Sequence, residues 1–186
     1  GTILQGKAMV EQGQGEPGIA QIRQGLSVYQ ATGAELIQPY FLALLAEAYG
    51  KAGQAEEGLS ALAEALAKVD KTKERREEAE LYRLKGELSL KSRQVEDKSK
   101  TSQDKSGVQS LESEAEECFR KAIEIARRQQ AKSLELRAVM SLSRLWQSQG
   151  KKAEARRMLT EIYGWFTEGF DTADLQEARA LLEALT

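Results

Sequence analysis

The chain of 186 residues contains no histidine and no asparagine, only one cysteine and only two prolines. Without histidine it lacks the commonest general base near neutral pH and the commonest zinc ligand. A lone Cys118 has no partner for an internal disulfide, which fits a reducing cytoplasm. Apolar residues make up 41% of the chain but form no run approaching the ~18 that a membrane span requires, so no membrane partner is expected. Lys and Arg number 27 against 29 Asp and Glu, a net charge of −2, so there is no basic field to hold nucleic acid. The opening residues GTILQGKAMVEQG carry no apolar signal core. They start at Gly1 without an initiator methionine, and the expectation is a piece of a longer protein. What is abundant (Ala, Leu, Glu, Gln, Lys and Arg) favours helix.

The chain also repeats itself. Gly53–Leu66, GQAEEGLSALAEAL, lies 40 residues after Gly13–Leu26, GQGEPGIAQIRQGL, with Gly13 over Gly53, Gly18 over Gly58, Ile22 over Leu62 and Leu26 over Leu66. Gly150, Ala155, Leu159 and Tyr163 keep the same offsets from their first glycine. A fixed period of this size is the mark of a repeat architecture. A small residue recurs at one register position as Gly6, Ala46, Gly86 and Ser143. The first two steps are 40 residues and the last is 57, which predicts an insertion of 17 inside the third repeat.

Apolar spacing of three and four residues places two helices in each repeat. In the first, Ile19, Ile22, Leu26 and Tyr29 share one face of a helix that Pro17 opens. The second uses Leu42, Leu45, Ala46 and Tyr49 before Gly53, then Ala61, Leu62, Ala65 and Leu66. The third has Leu81, Leu84, Gly86 and Leu88, then Ala115, Phe119, Ala122 and Ile123. Between these, VEDKSKTSQDKSGVQSLES has no apolar periodicity, so a flexible loop is expected over about 93–111. The fourth has Leu136, Val139, Leu142, Ser143 and Trp146, then Ala155, Leu159 and Ile162. Leu175, Ala178, Leu181, Leu182 and Leu185 form a last helix that caps the stack, and no matching cap stands at the N-terminus. The expected division is 1–32, 33–72, 73–130, 131–168 and a cap over about 172–185.

Three motifs imitate chemistry. Gly13-Gln-Gly15-Glu-Pro-Gly18 is a literal GxGxxG, but a dinucleotide site needs a strand before it, and here a helical segment precedes. Gly1 to Ala8 nearly spells a phosphate-binding loop, yet Ala8 has no hydroxyl for magnesium. Cys118 has no histidine to activate it. No catalytic, cofactor-binding or metal-binding residue is expected. The aromatic group Tyr163, Trp165, Phe166 and Phe170 reads as core between the fourth repeat and the cap helix, with an exposed docking patch as the other reading.

The run of small residue, large residue, turn glycine and small residue in Leu42, Leu45, Ala46, Tyr49, Gly53, Gly58, Leu62 and Ala65 resembles the tetratricopeptide repeat. Val139, Leu142, Ser143, Trp146, Gly150, Ala155, Leu159 and Ile162 repeat it, with a bulky Ile162 where that family prefers a small residue. The period of 40 exceeds the family's usual ~34, so longer helices or links are expected. The resemblance implies an all-α, right-handed αα superhelix whose first helices line a concave groove. On that register the groove would be lined by Tyr40, Ala43, Glu47, Gly50 and Lys51, by Glu80, Arg83, Glu87, Leu90 and Lys91, and by Arg137, Met140, Arg144, Gln147 and Ser148. Arg83, Arg137 and Arg144 could grip a carboxylate or phosphate, and the bland reading is ordinary solvated side chains. Some relatives grip a C-terminal carboxylate with paired Asn and Lys, a mode that a chain without Asn does not offer.

The stretches GAELIQPYFLALLAEAYGKAGQ and IYGWFTEGFDTADLQEARALLEAL are similar to the C-terminal repeats of large bacterial signalling proteins that join nucleotide-cyclase and STAND-type ATPase domains. That resemblance implies a non-catalytic, cytoplasmic docking or sensor region with a protein or peptide partner. Two other readings stand beside it: a small-molecule or peptide receptor that regulates an attached ATPase, and a homodimer formed through the uncapped first repeat.

Overall fold

The computed structural model describes the backbone of residues 1–96 and 105–186. Among the described residues there are nine helices and no strand: α1 (Thr2–Glu11), α2 (Gly15–Ala31), α3 (Gln38–Lys51), α4 (Ala55–Thr72), α5 (Glu78–Glu96), α6 (Lys105–Arg128), α7 (Lys132–Ser148), α8 (Lys152–Tyr163) and α9 (Ala173–Ala184). They form four helix–turn–helix pairs followed by a single helix. Of the insertion expected over 93–111, residues 97–104 lie outside the described residues, while α5 reaches Glu96 and α6 starts at Lys105. None of the helices described is long and apolar enough to cross a membrane.

Local chemistry makes the turns. Gly13, Gly53 and Gly150 take φ of 86°, 79° and 78°, a region that costs a residue with Cβ about 1 kcal/mol or more. Each turn is closed by the same bond, in which Gln14, Gln54 and Lys151 donate their N–H to the carbonyls of Met9, Tyr49 and Trp146 at 2.9, 2.9 and 2.8 Å. These six-residue bonds satisfy carbonyls left open at a helix C-terminus. Pro39 sits second in α3, where its missing N–H removes no helical bond.

Close packing follows from the small residues. A Cβ on Gly6 would stand 2.6 Å from the Gly18 carbonyl oxygen, and one on Gly18 would stand 2.6 Å from the Gly6 oxygen, so α1 and α2 cross with backbones touching. Buried Leu42, Leu62, Leu81 and Leu88 form the N-terminal core, and Phe119, Leu136, Leu142 and Leu159 form the C-terminal one. Burial of each such side chain contributes about 1.5–3 kcal/mol. Helix α5 serves both cores, with Leu84 on one side and Tyr82 and Leu90 on the other.

The odd-numbered helices touch in succession, α1 to α3, α3 to α5, α5 to α7 and α7 to α9, while no two of α2, α4, α6 and α8 meet among the described residues. That asymmetry leaves the first helix of each pair on the crowded inner side. A buried polar residue marks the start of three of these helices at one register position, as Gln38, Glu78 and Glu135. Gln38 donates to the Ala34 carbonyl at 2.5 Å, Glu78 accepts from Arg75 at 2.7 Å, and Glu135 accepts from Arg127 and Lys132 at 2.6 and 2.8 Å. Burial drives the Glu135 carboxyl up, but the bonds from Lys132 and Arg127 outweigh it and hold the group below the usual carboxylate range. The aromatic group near the cap splits: Tyr163 and Phe166 pack on the C-terminal core, whereas Trp165 and Phe170 remain exposed.

Candidate binding groove

The inner helices and α9 enclose a groove of about 380 Å³. Nine of the residues expected there from the sequence line it: Glu47, Gly50, Lys51, Arg83, Glu87, Lys91, Arg137, Met140 and Arg144. Tyr40 and Gln147 are among those that do not. Tyr40 lies at the first turn of α3, beside Phe41 and in a small cleft with Leu36, Ile37 and Arg76 at the inter-repeat edge. Gln147 is drawn to the far end of α9, where its amide donates to the Ala184 carbonyl at 3.3 Å. The groove also takes in Ser141, Asp174 and Glu177, which sequence reasoning missed. Asp174 and Glu177 lie on α9, outside the first-helix register that gives the other groove residues, and Ser141 stands one place beyond Met140 in that register.

The charges do not stand free. Arg83 is only 7% exposed and spends its guanidinium inside the protein. Its Nε and Nη2 donate to the two Glu80 oxygens at 2.9 and 2.7 Å, and Nη1 donates to Glu87 at 2.6 Å. Burial works against the charged form, but Glu80 and Glu87 overcome it and hold the arginine pKa above its usual value. Arg137 reaches the same Glu80 carboxylate at 3.0 Å, and the Ser141 hydroxyl donates to Glu87 at 2.7 Å. One buried network thus ties α5 to α7. The guanidinium fork expected for a partner's carboxylate or phosphate is turned instead to Glu80 of the chain itself.

Toward either end the pairs become partly exposed. Lys51 meets Glu47 at 3.0 Å, and Lys7 approaches the same carboxylate at 4.0 Å. Burial raises the Glu47 pKa, yet Lys51, Lys7 and Arg137 bring it below the usual range. Arg144 meets Glu177 of α9 at 2.6 Å, with both side chains largely in water. Lys91 donates to the Gly50 carbonyl at 3.4 Å. The groove is therefore lined with both signs in alternation and has little net charge of its own.

Chemistry is sparse elsewhere. Cys118 is buried in α6, and burial pushes its thiol up, away from the reactive thiolate. No group of His, Cys, Asp and Glu side chains that could hold a metal ion is found among the described residues.

Paired helices, turn glycines and an inner row of first helices define an all-α repeat fold of the tetratricopeptide-like class. The same architecture occurs in two solved structures of a Podospora anserina protein described as a putative kinesin light chain with nearly identical tetratricopeptide-like repeats. One matches with a TM-score of 0.65 at 16% identity, covering 99% of this chain and 83% of that chain. A point variant of the same protein matches with 0.64 at 16% identity, over 99% of this chain and 91% of that one. At this identity the likeness concerns the fold. No family model matches the sequence, and no curated protein does.

Proposed function

We propose that residues 1–186 act as one non-catalytic interaction module whose inner groove receives a polar, mixed-charge segment of a partner protein. The observation that carries this reading is the convergence of α3, α5, α7 and α9 on one groove with cations and carboxylates in alternation. A segment carrying both signs can exchange the partly exposed Lys51–Glu47 pair and the exposed Arg144–Glu177 pair for pairs of its own, the latter at small cost because exposed ion pairs contribute only about 0–1 kcal/mol. The buried Arg83 network supplies rigidity beneath, which lowers the entropic cost of binding. We read the module as the docking or sensor region of a larger bacterial signalling ATPase or nucleotide cyclase, on the resemblance of GAELIQPYFLALLAEAYGKAGQ and IYGWFTEGFDTADLQEARALLEAL to such proteins. Within that role it has no catalytic task, and the protein works in the cytoplasm.

The test is a displayed peptide library selected on the 186-residue chain, with hits titrated by fluorescence anisotropy. Groove binders lose on the order of tenfold or more in affinity with Arg144→Ala or Lys91→Ala, and are indifferent to Arg179→Ala on the outer side of α9. Selected binders insensitive to both groove changes would sink the reading. A second reading, an effector receptor, is favoured by the groove's volume, which falls in the range of small-molecule sites. It calls for a ligand that raises the melting temperature by mass action.

A further inference from the structure

The turn that enters α3 is built like the turn that enters α5, yet its surface is of another kind. Gln38 donates its N–H to the Glu35 carbonyl at 3.1 Å, and Glu78, at the same place in the next repeat, donates to the Arg75 carbonyl at 3.1 Å. Phe41 and Leu81 then donate to the carbonyls of Ile37 and Glu77 and close the first turn of each helix. The backbone is thus bonded alike in both places. Ahead of α5 stand Arg76 and Glu77, with Glu80 in its first turn; the same positions around α3 hold Leu36, Ile37 and Tyr40. A turn that forms with charged residues does not need apolar ones. Leu36 is nevertheless 65% exposed and Ile37 43%, with Tyr40 beside them at the edge of the stack. Apolar side chains grouped in water, at positions where the fold accepts charge, mark a contact surface.

The two turns face each other. Leu36, Ile37, Pro39 and Tyr40 line one side of a cleft of about 160 Å³, and Glu74, Arg76 and Glu77 line the other. Lys71, near the end of α4, donates to Glu35 at 2.6 Å and ties the two sides together. The volume falls short of the ~300 Å³ at which small-molecule sites begin, and suits a single aliphatic side chain. The charged side carries two carboxylates against one guanidinium. Glu74 accepts the Arg76 backbone N–H at 3.2 Å, which holds it over the turn. Burial pushes the carboxyl of the half-buried Glu77 above the usual range; Arg76 opposes the shift, and Glu80 and Glu74 add to it. Arg75, next along the turn, is engaged with Glu78 and Asp70. The cleft is short of positive charge, and an incoming cation would supply it.

We propose that this cleft docks a peptide segment of another protein in which an aliphatic residue stands next to a lysine or arginine. The aliphatic side chain enters against Leu36, Ile37 and Tyr40, and the cation meets Glu77 and Glu74. The inference is independent of the groove reading, since the two sites share no lining residue.

A displayed library of short random peptides tests it, selected on the 186-residue chain and counter-selected on Leu36→Arg combined with Ile37→Glu. That double change copies the turn of the third repeat, so the fold is retained and circular dichroism should be unchanged. The surviving peptides are expected to carry Leu, Ile or Met beside Lys or Arg. In fluorescence anisotropy the double change should weaken them on the order of tenfold or more. Glu77→Gln should weaken them less, by a margin that shrinks as salt is raised, and Lys91→Ala in the groove should leave them unchanged. Peptides that carry Asp or Glu beside the apolar residue, or that are weakened by Arg76→Ala and not by Glu77→Gln, would overturn the proposal. A library from which the counter-selection removes nothing would overturn it equally. Self-association of the chain that the double change abolishes would give the face to a second copy instead.

Discussion

The second and third repeats are built on one register and solve it differently. In the second, Ala46 on α3 faces Gly58 and Leu62 on α4. In the third, Gly86 on α5 faces Ala115 and Phe119 on α6. The missing Cβ has moved from one helix of the pair to the other. A Cβ on Gly86 would stand 2.6 Å from the Phe119 ring, and one on Gly58 would stand 2.6 Å from Leu88 and 3.2 Å from the Ala46 carbonyl. Volume is conserved across each helix crossing rather than residue by residue, as dense packing requires. The inner face diverges in the same way. Ala43 and Glu47 leave the second repeat with a single half-buried pair to Lys51, whereas Arg83 and Glu87 give the third a network, centred on the buried Arg83, that reaches α7. One register position can therefore hold a buried alanine in one repeat, Ala43, and a buried ion-paired arginine in the next, Arg83.

Breaking the third repeat's network should have the largest effect. Arg83→Leu leaves the buried Glu80 and the half-buried Glu87 without their main partner and should cost about 3–5 kcal/mol of unfolding free energy, read from urea melts followed by circular dichroism. A loss under about 1 kcal/mol would place the network among ordinary surface pairs. Next comes the helix crossing. Gly86→Ala drives a methyl into the Phe119 ring and should cost about 1–3 kcal/mol, and Phe119→Leu in the same chain, which copies the second repeat, should recover part of it. Full additivity of the two changes would contradict the volume exchange.

Acid should sharpen the difference between buried and exposed carboxylates. Glu135 has a folded pKa below its ordinary value of 4.5, so it stabilises the protein above that pH. That contribution is lost as pH falls below 4.5 through the lowered folded value. Glu135→Gln should therefore be less stable than the parent at pH 7 and converge with it toward pH 3, in thermal melts taken across that range; a constant gap would contradict the assignment. The smallest effects belong to the exposed pairs. Lys51→Ala and Arg144→Ala should each change stability by less than about 1 kcal/mol, which leaves both usable as probes of binding.

Much of this was legible in the chain. The helix pairs follow from local rules: apolar residues at three- and four-residue spacing make one buried stripe, and a glycine that accepts positive φ ends the first helix of three of the four pairs. The small residues Gly6, Ala46, Gly86 and Ser143 marked the crossings. Nine groove residues followed from the register, because neighbouring first helices lie side by side. The failures came where the surface that covers a side chain lies far along the chain. Arg83 has its ion-pair partners Glu80 and Glu87 within one turn on α5, but its burial is decided by α7, more than fifty residues later. Tyr40 sits at a groove position by number but on the first turn, where the entering loop carries it to the edge.

The sequence by itself determined the periodic pairing of helices, the sites of the turns and the want of histidine chemistry, since these depend on residue type and on neighbours within one or two turns. Only the tertiary structure decided which charges are buried, that α9 adds Asp174 and Glu177 to the groove, and that Trp165 and Phe170 stay exposed. The physical reason is that burial and pairing are set by whatever surface arrives opposite. In a stack of layers, that surface belongs to the next repeat.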